Sequence, residues 1–168
     1  MTNDANNKSV SVIAFGASAG GLQCLRPIIR GLKPNDHDAY VVAAHLSPSH
    51  ISNLTEILAD QSEVKVVSAS NDQIIQPGYV YVCSSATDIV IVAGRIQLPK
   101  PYPSALIAPS IDRLFSSIAH QYGHKATAVV LSGSGHDGVL GAKDINASGG
   151  VVIVQNPEEA IHPSMPET

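Results

Sequence analysis

Three side chains in this sequence could together make a strong nucleophile: Ser18, His45 and Asp137. A serine hydroxyl attacks poorly until a base within hydrogen-bond reach accepts its proton. An imidazole serves as that base when a carboxylate fixes its tautomer and stabilises its charged form. Each of the three stands behind an apolar run of strand type. Ser18 sits in Gly16-Ala17-Ser18-Ala19-Gly20-Gly21 after a run that starts at Val10, and His45 directly follows residues 39–44. Asp137 belongs to Ser132-Gly133-Ser134-Gly135-His136-Asp137-Gly138, after residues 126–131. Singly, each has a plainer reading: a small residue that a tight turn requires, a histidine satisfied at a strand end, a cap for the helix after Gly135. Their coincidence at three strand ends favours chemistry. Asp36, Asp38, Asp72, Asp88 and Asp144 read as lying in loops at the wrong edge or inside helices.

Other chemistries fit less well. The first turn is not G-x-G-x-x-G, and the second strand ends in His45 where a ribose-binding acid would belong. The Gly-Lys-Ser/Thr of a phosphate loop is missing. A zinc site from His45, His50 and His136 matches no familiar ligand spacing. Neither a metal nor an organic cofactor is expected.

The elements that must position the three residues alternate along the chain. A first strand leads into a helix over residues 21–31, where Pro27 predicts a bend or a very short first turn. Strand 39–44 follows, then a helix face marked by Ile51, Leu54, Ile57 and Leu58, and a short strand at 64–67. Strand 79–83 precedes two runs, 88–93 and 95–98, joined through Gly94 with hairpin spacing. Residues 99–109 form a proline-rich surface loop, too long for a mere connector. Ser110 then caps a helix whose apolar stripe is Ile111, Leu114, Phe115, Ile118, Ala119 and Tyr122, with Gly123 at its end. Strand 126–131, helix 139–148 and strand 151–155 complete the order. The expected fold class is α/β: a three-layer, doubly wound, mostly parallel sheet with a small antiparallel hairpin excursion. In such sheets ligands bind outside the carboxyl ends of the strands, where all three residues fall.

With 168 residues the chain is expected to form one domain over residues 10–168, behind a flexible polar segment at residues 1–9. Net charge is −4, Lys and Arg are scattered and there is no Trp, so no nucleic-acid surface is expected. No apolar run is long enough to enter a membrane, and the polar start is no signal peptide. Cys24 and Cys83 match no metal or redox spacing and read as buried reduced thiols of a cytoplasmic protein.

Six blocks occur in order: Gly16-Ala17-Ser18-Ala19-Gly20-Gly21, His45-Leu46-Ser47-Pro48, Pro77-Gly78-Tyr79-Val80-Tyr81, Pro109-Ser110-Ile111-Asp112-Arg113-Leu114-Phe115, Leu131 through Gly138, and Met165-Pro166. Together they resemble the catalytic domain of the bacterial chemotaxis receptor methylesterases, the CheB family. Ala19 makes the first block more like the branch associated with methylesterase–methyltransferase fusion proteins. The resemblance implies a protein-glutamate methylesterase that hydrolyses γ-methyl esters on chemoreceptor-like proteins, in chemotaxis or related two-component signalling, and that deamidates particular glutamines. Ser18 would attack, His45 would take the proton, and Asp137 would orient His45. Ala19, Ser134, Gly135 and Met165 would form the oxyanion site and pocket, with the Ser134 backbone N–H as a donor.

Departures from the family pattern bear on substrate and control. Ala19 replaces a threonine that would contact the histidine, Ala108 replaces an arginine, and Ser164 replaces the glycine of a Gly-Met-Pro block. The residues before Val10 cannot supply a receiver domain, so control would come from another chain or a longer polypeptide. The stop at Thr168, short of a further helix and strand, reads as truncation. Two other functions stay open on this reading: a serine hydrolase acting on another ester or amide, and a non-catalytic module that binds a receptor or regulatory partner.

Overall fold

Successive buried residues of the central strands join opposite faces with period two, and that alternation builds three layers. A computed structural model describes residues 9–46, 53–83 and 86–168. Strand β1 (Ser11–Ala17) sends Val12 and Ala14 to one face, and Phe15 and Ala17 to the other. Strand β2 (Asp38–Ala44) repeats this with Ala39, Val41 and Ala43 against Tyr40, Val42 and Ala44. Both faces are covered, so these strands read as unbroken apolar runs.

Strands β3 (Lys65–Ser68), β4 (Tyr79–Val82), β7 (Ala126–Val130) and β8 (Val151–Val154) complete a six-stranded sheet in the order β3-β4-β2-β1-β7-β8. Every pairing in it is parallel. Strands β5 (Val90–Val92) and β6 (Arg95–Gln97) form a separate antiparallel pair. Ala93 (φ 50°) and Gly94 (φ 72°) make its turn, the positive-φ pair of a type I′ hairpin.

One outer layer holds α1 (Gly21–Gly31) and α2 (Leu54–Ala59), which bury Leu25, Ile29, Leu54 and Leu58. The other holds the hairpin, α3 (Ile111–Tyr122) and α4 (Val139–Ala147), which bury Ile91, Ile96, Leu114, Phe115, Ile118 and Ile145. A short α5 (Ser164–Glu167) buries Met165 and Pro166. The sheet presents small residues to α3, including Ala14, Ala39, Ala43, Ala126 and Ala128. A Cβ at Gly16 would stand 2.5 Å from Ile111 Cγ2. This close approach brings the first turn of α3 against the carboxyl end of β1.

The expected class and alternation match this architecture, with corrections of detail. No very short first turn marks α1: the helix runs through Pro27, whose ring is exposed. The Gln23 carbonyl that Pro27 leaves without its helical donor also lies on an exposed residue, where water can serve it. Cys24 is only half-buried, its Sγ 3.5 Å from Gln155 Oε1, whereas Cys83 is buried and its thiol is pushed up to about 12 by burial. Ser47, Pro48, His50 and Ile51 lie outside the described residues, as do residues 1–8 of the leading segment. Among the described residues, no helix is long and apolar enough to cross a membrane.

Candidate active site

From β1 the chain winds toward β2, and from β7 it winds toward β8, so the winding reverses between β1 and β7. The carboxyl ends of these strands therefore flank the crevice where open α/β sheets bind ligands. Ser18 directly follows β1 and His45 directly follows β2. The paired strands run in register to Ala17↔Ala44, and the His45 N–H donates to the Ala17 carbonyl at 2.8 Å. Ser18 and His45 are thus the next residues along two adjacent strands.

The turn that presents Ser18 is tight. The Gly21 N–H donates to the Ser18 carbonyl at 2.9 Å, and Gly20 takes φ 78°, a conformation that favours glycine. The Ser18 N–H donates to the Ser132 carbonyl at 3.0 Å, which joins this turn to the one after β7.

Asp137 comes from that second turn and contacts His45. His45 Nε2 lies 3.0 Å from Asp137 Oδ2 and 2.8 Å from the Pro109 carbonyl oxygen. Asp137 also accepts from the Ile111 N–H at 2.7 Å and the Asp112 N–H at 2.8 Å. Burial pushes its carboxyl up. The hydrogen bond from His45, those from the two amides and the charge of His45 outweigh burial and leave it below the usual carboxylate value. Both neighbours of Nε2 are therefore acceptors, and the Nε2 proton must sit between them. In the neutral ring this leaves the lone pair on Nδ1, which is buried and has no hydrogen-bond partner among the described residues.

Asp137 caps α3, a different helix from the one that follows it. Asp112, in the first turn of α3, returns the contact by accepting from the Gly138 N–H at 3.0 Å and the Gly141 N–H at 2.8 Å. The start of α3 is thus capped by a carboxylate from the turn that leads into α4, and the start of α4 by a carboxylate from α3; these amides are the donors that helix geometry leaves over. For Asp112, burial and the nearby charge of Asp137 outweigh the amide hydrogen bonds and raise the carboxyl.

The remaining expected residues divide. Met165 is buried, and its N–H donates to the Gly133 carbonyl at 3.1 Å. A Cβ at Gly133 would stand 2.1 Å from Met165 Sδ and 2.7 Å from Ser18 Cβ, so Met165 lies in the packing beside Ser18. The Ala19 carbonyl accepts from Ser132 Oγ at 2.9 Å. Ser134 and Gly135 are exposed on the turn before Asp137.

Asp88 was expected in a loop at the wrong edge, and that expectation is corrected. It is buried, accepts from the Ser110 N–H at 2.7 Å and pairs with Arg113 on α3. No periodicity marks a contact between residues 25 positions apart. The signal available in the sequence was an acid directly before an apolar run, which also describes an ordinary strand start.

A family model described as CheB methylesterase matches residues 13–168. The chain belongs to the CheB methylesterase family. The protein-glutamate methylesterase/protein-glutamine glutaminase 1 of Myxococcus xanthus is 33% identical over 159 residues, covering 92% of this chain and 46% of that protein. A protein of the same name from Carboxydothermus hydrogenoformans is 33% identical over 162 residues, covering 93% of this chain and 48% of that protein. The solved CheB methylesterase catalytic domain of Thermotoga maritima superimposes with a TM-score of 0.87 at 29% identity, over 95% of this chain and 86% of that one. The chain thus spans about half the length of the curated CheB relatives it matches.

Proposed function

We infer that this chain hydrolyses γ-methyl esters of glutamate on a chemoreceptor-like protein, with Ser18 as nucleophile, His45 as base and Asp137 as the group that orients His45. The observation that carries this reading is the state of the imidazole. Nε2 is held between Asp137 and the Pro109 carbonyl, which leaves the Nδ1 lone pair as the atom able to take the Ser18 proton. Hydroxyl–imidazole hydrogen bonds at such sites often tighten only when substrate is bound.

In this reading Ser18 Oγ bonds to the ester carbonyl carbon while its proton passes to Nδ1. The imidazolium is stabilised by the Asp137 carboxylate, and the oxyanion by the Ser134 backbone N–H. Collapse of the tetrahedral intermediate breaks the bond to methoxide, which leaves as methanol with the proton from Nδ1. Water then repeats the sequence on the acyl-serine and releases glutamate. A glutamine side chain would follow the same course with ammonia as leaving group. The names of the relatives, methylesterase and glutaminase, support both substrates. The substrate segment and the chain would then meet in the cytoplasm, under a regulatory domain of the same or another polypeptide.

The test has two stages. A serine-directed fluorophosphonate should label the parent and not Ser18→Ala. Methanol should be released from a methylated receptor by the parent alone. A well-folded parent that takes no label would make the chain a binding module. Labelling without methanol release would leave a serine hydrolase with another substrate.

A further inference from the structure

We propose that Asp88 and Arg113 are positioning residues for His45, holding the Pro109 carbonyl as the second acceptor on Nε2; this rests on the hydrolase reading above. The chain of contacts is short. The Pro109 carbonyl accepts from His45 Nε2 at 2.8 Å, and the next N–H, that of Ser110, donates to Asp88 Oδ1 at 2.7 Å. Arg113 occupies the other oxygen, Asp88 Oδ2. One peptide unit thus touches the base through its oxygen and the buried carboxylate through its nitrogen.

The same pair ties down the start of the loop that ends at this peptide. The Asp88 N–H donates to the Pro99 carbonyl at 2.9 Å, and an Arg113 Nη to the Lys100 carbonyl at 3.3 Å. The Arg113 guanidinium also lies 4.1 Å from the centre of the Tyr102 ring. Both ends of the 99–109 segment therefore close on one ion pair.

Fold stability alone does not account for this pair. Asp88 is 1% exposed, and a buried carboxylate is costly to desolvate even when paired, so apolar residues of similar volume often stabilise a fold as well or better. What apolar residues cannot do is hold the Ser110 N–H in a fixed direction. That direction sets the Pro109 carbonyl, and with it the plane of the ring whose other nitrogen faces the chemistry.

The experiment compares the parent with the double variant Asp88→Leu/Arg113→Met, which removes the pair and the acceptor on the Ser110 N–H without changing net charge. Two quantities are read: methanol release, and the low-field His45 Nε2–H proton signal, assigned by its loss in His45→Ala. The expected result is a kcat lower by about tenfold with KM within about twofold, and an N–H signal moved upfield and broadened. Arg113→Lys, which keeps a cation on Asp88, should restore kcat to within about threefold of the parent. A folded double variant with parental kcat and an unmoved signal overturns the proposal. If the double variant shows no cooperative thermal transition, Asp88→Ala alone, which also removes the acceptor on the Ser110 N–H, is read the same way, and parental values in both measurements overturn it. A parent inactive toward ester and fluorophosphonate refutes the hydrolase reading instead, and the N–H signal then decides the positioning claim alone.

Discussion

At the residue scale, the carboxylate of Asp137 links fold and chemistry, because the oxygen that accepts from the Ile111 amide also faces His45. Asp137→Asn replaces an acceptor-only group with one that has an N–H₂. It cannot accept from both helix amides and from His45 as the carboxylate does. The expected loss in kcat is about 10²- to 10⁴-fold, as the Nε2–H tautomer loses its charged partner. The folded-state value of Asp137 lies below its ordinary 3.8, so its ionisation stabilises the fold above that value. That contribution disappears as pH falls through the lowered folded value. The gap in urea midpoint between parent and Asp137→Asn should therefore be wide at pH 7 and close below pH 4. Asp112 has the opposite sign: its raised value means that protonation, as pH falls through it, favours the fold. A gap that stays constant down to pH 3 would remove Asp137 from the acid response.

At the element scale, the turn after β7 has no room for a side chain at Gly133. A methyl there would meet Met165 Sδ, which can swing aside, and Ser18 Cβ, which sits next to a backbone fixed by two hydrogen bonds. Gly133→Ala should lower stability by about 1–3 kcal/mol through overpacking, and activity by on the order of 10²-fold through displacement of Ser18. Thermal unfolding and methanol release measured on the same preparation check both parts. Undiminished turnover would show that Ser18 tolerates the displacement. The same turns also show what can be read from residues alone. The placement of Ser18, His45 and Asp137 at one edge of the sheet was legible because each follows an apolar run, and a strand end is a local property of sequence. The cap that Asp137 places on α3 was not legible, since nothing local distinguishes a carboxylate that caps its own helix from one that caps a neighbour. Asp88 was missed for the same reason: its partners Ser110 and Arg113 are set by how the loop closes on α3.

At the scale of the whole molecule, the sheet divides the core into two clusters of the described residues that share β1, β2, β4 and β7 but no side chain. Ile29 belongs to the α1–α2 side and Ile118 to the α3–α4 side, and both are fully buried. Removing one methylene from each, as Ile29→Val and Ile118→Val, should cost about 0.5–1.5 kcal/mol apiece. Because no partner is shared across the sheet, the double variant should lose the sum of the two within about 0.5 kcal/mol. The strands between them are paired in register along their length, so loss on either face must act through one cooperative transition. Urea unfolding followed by circular dichroism and by tyrosine fluorescence should give coincident curves for all four proteins. Two separated transitions, or a double-variant loss well short of the sum, would mean that the two layers unfold separately. The sheet would then not be the rigid frame that holds Ser18 and His45 at matched strand ends.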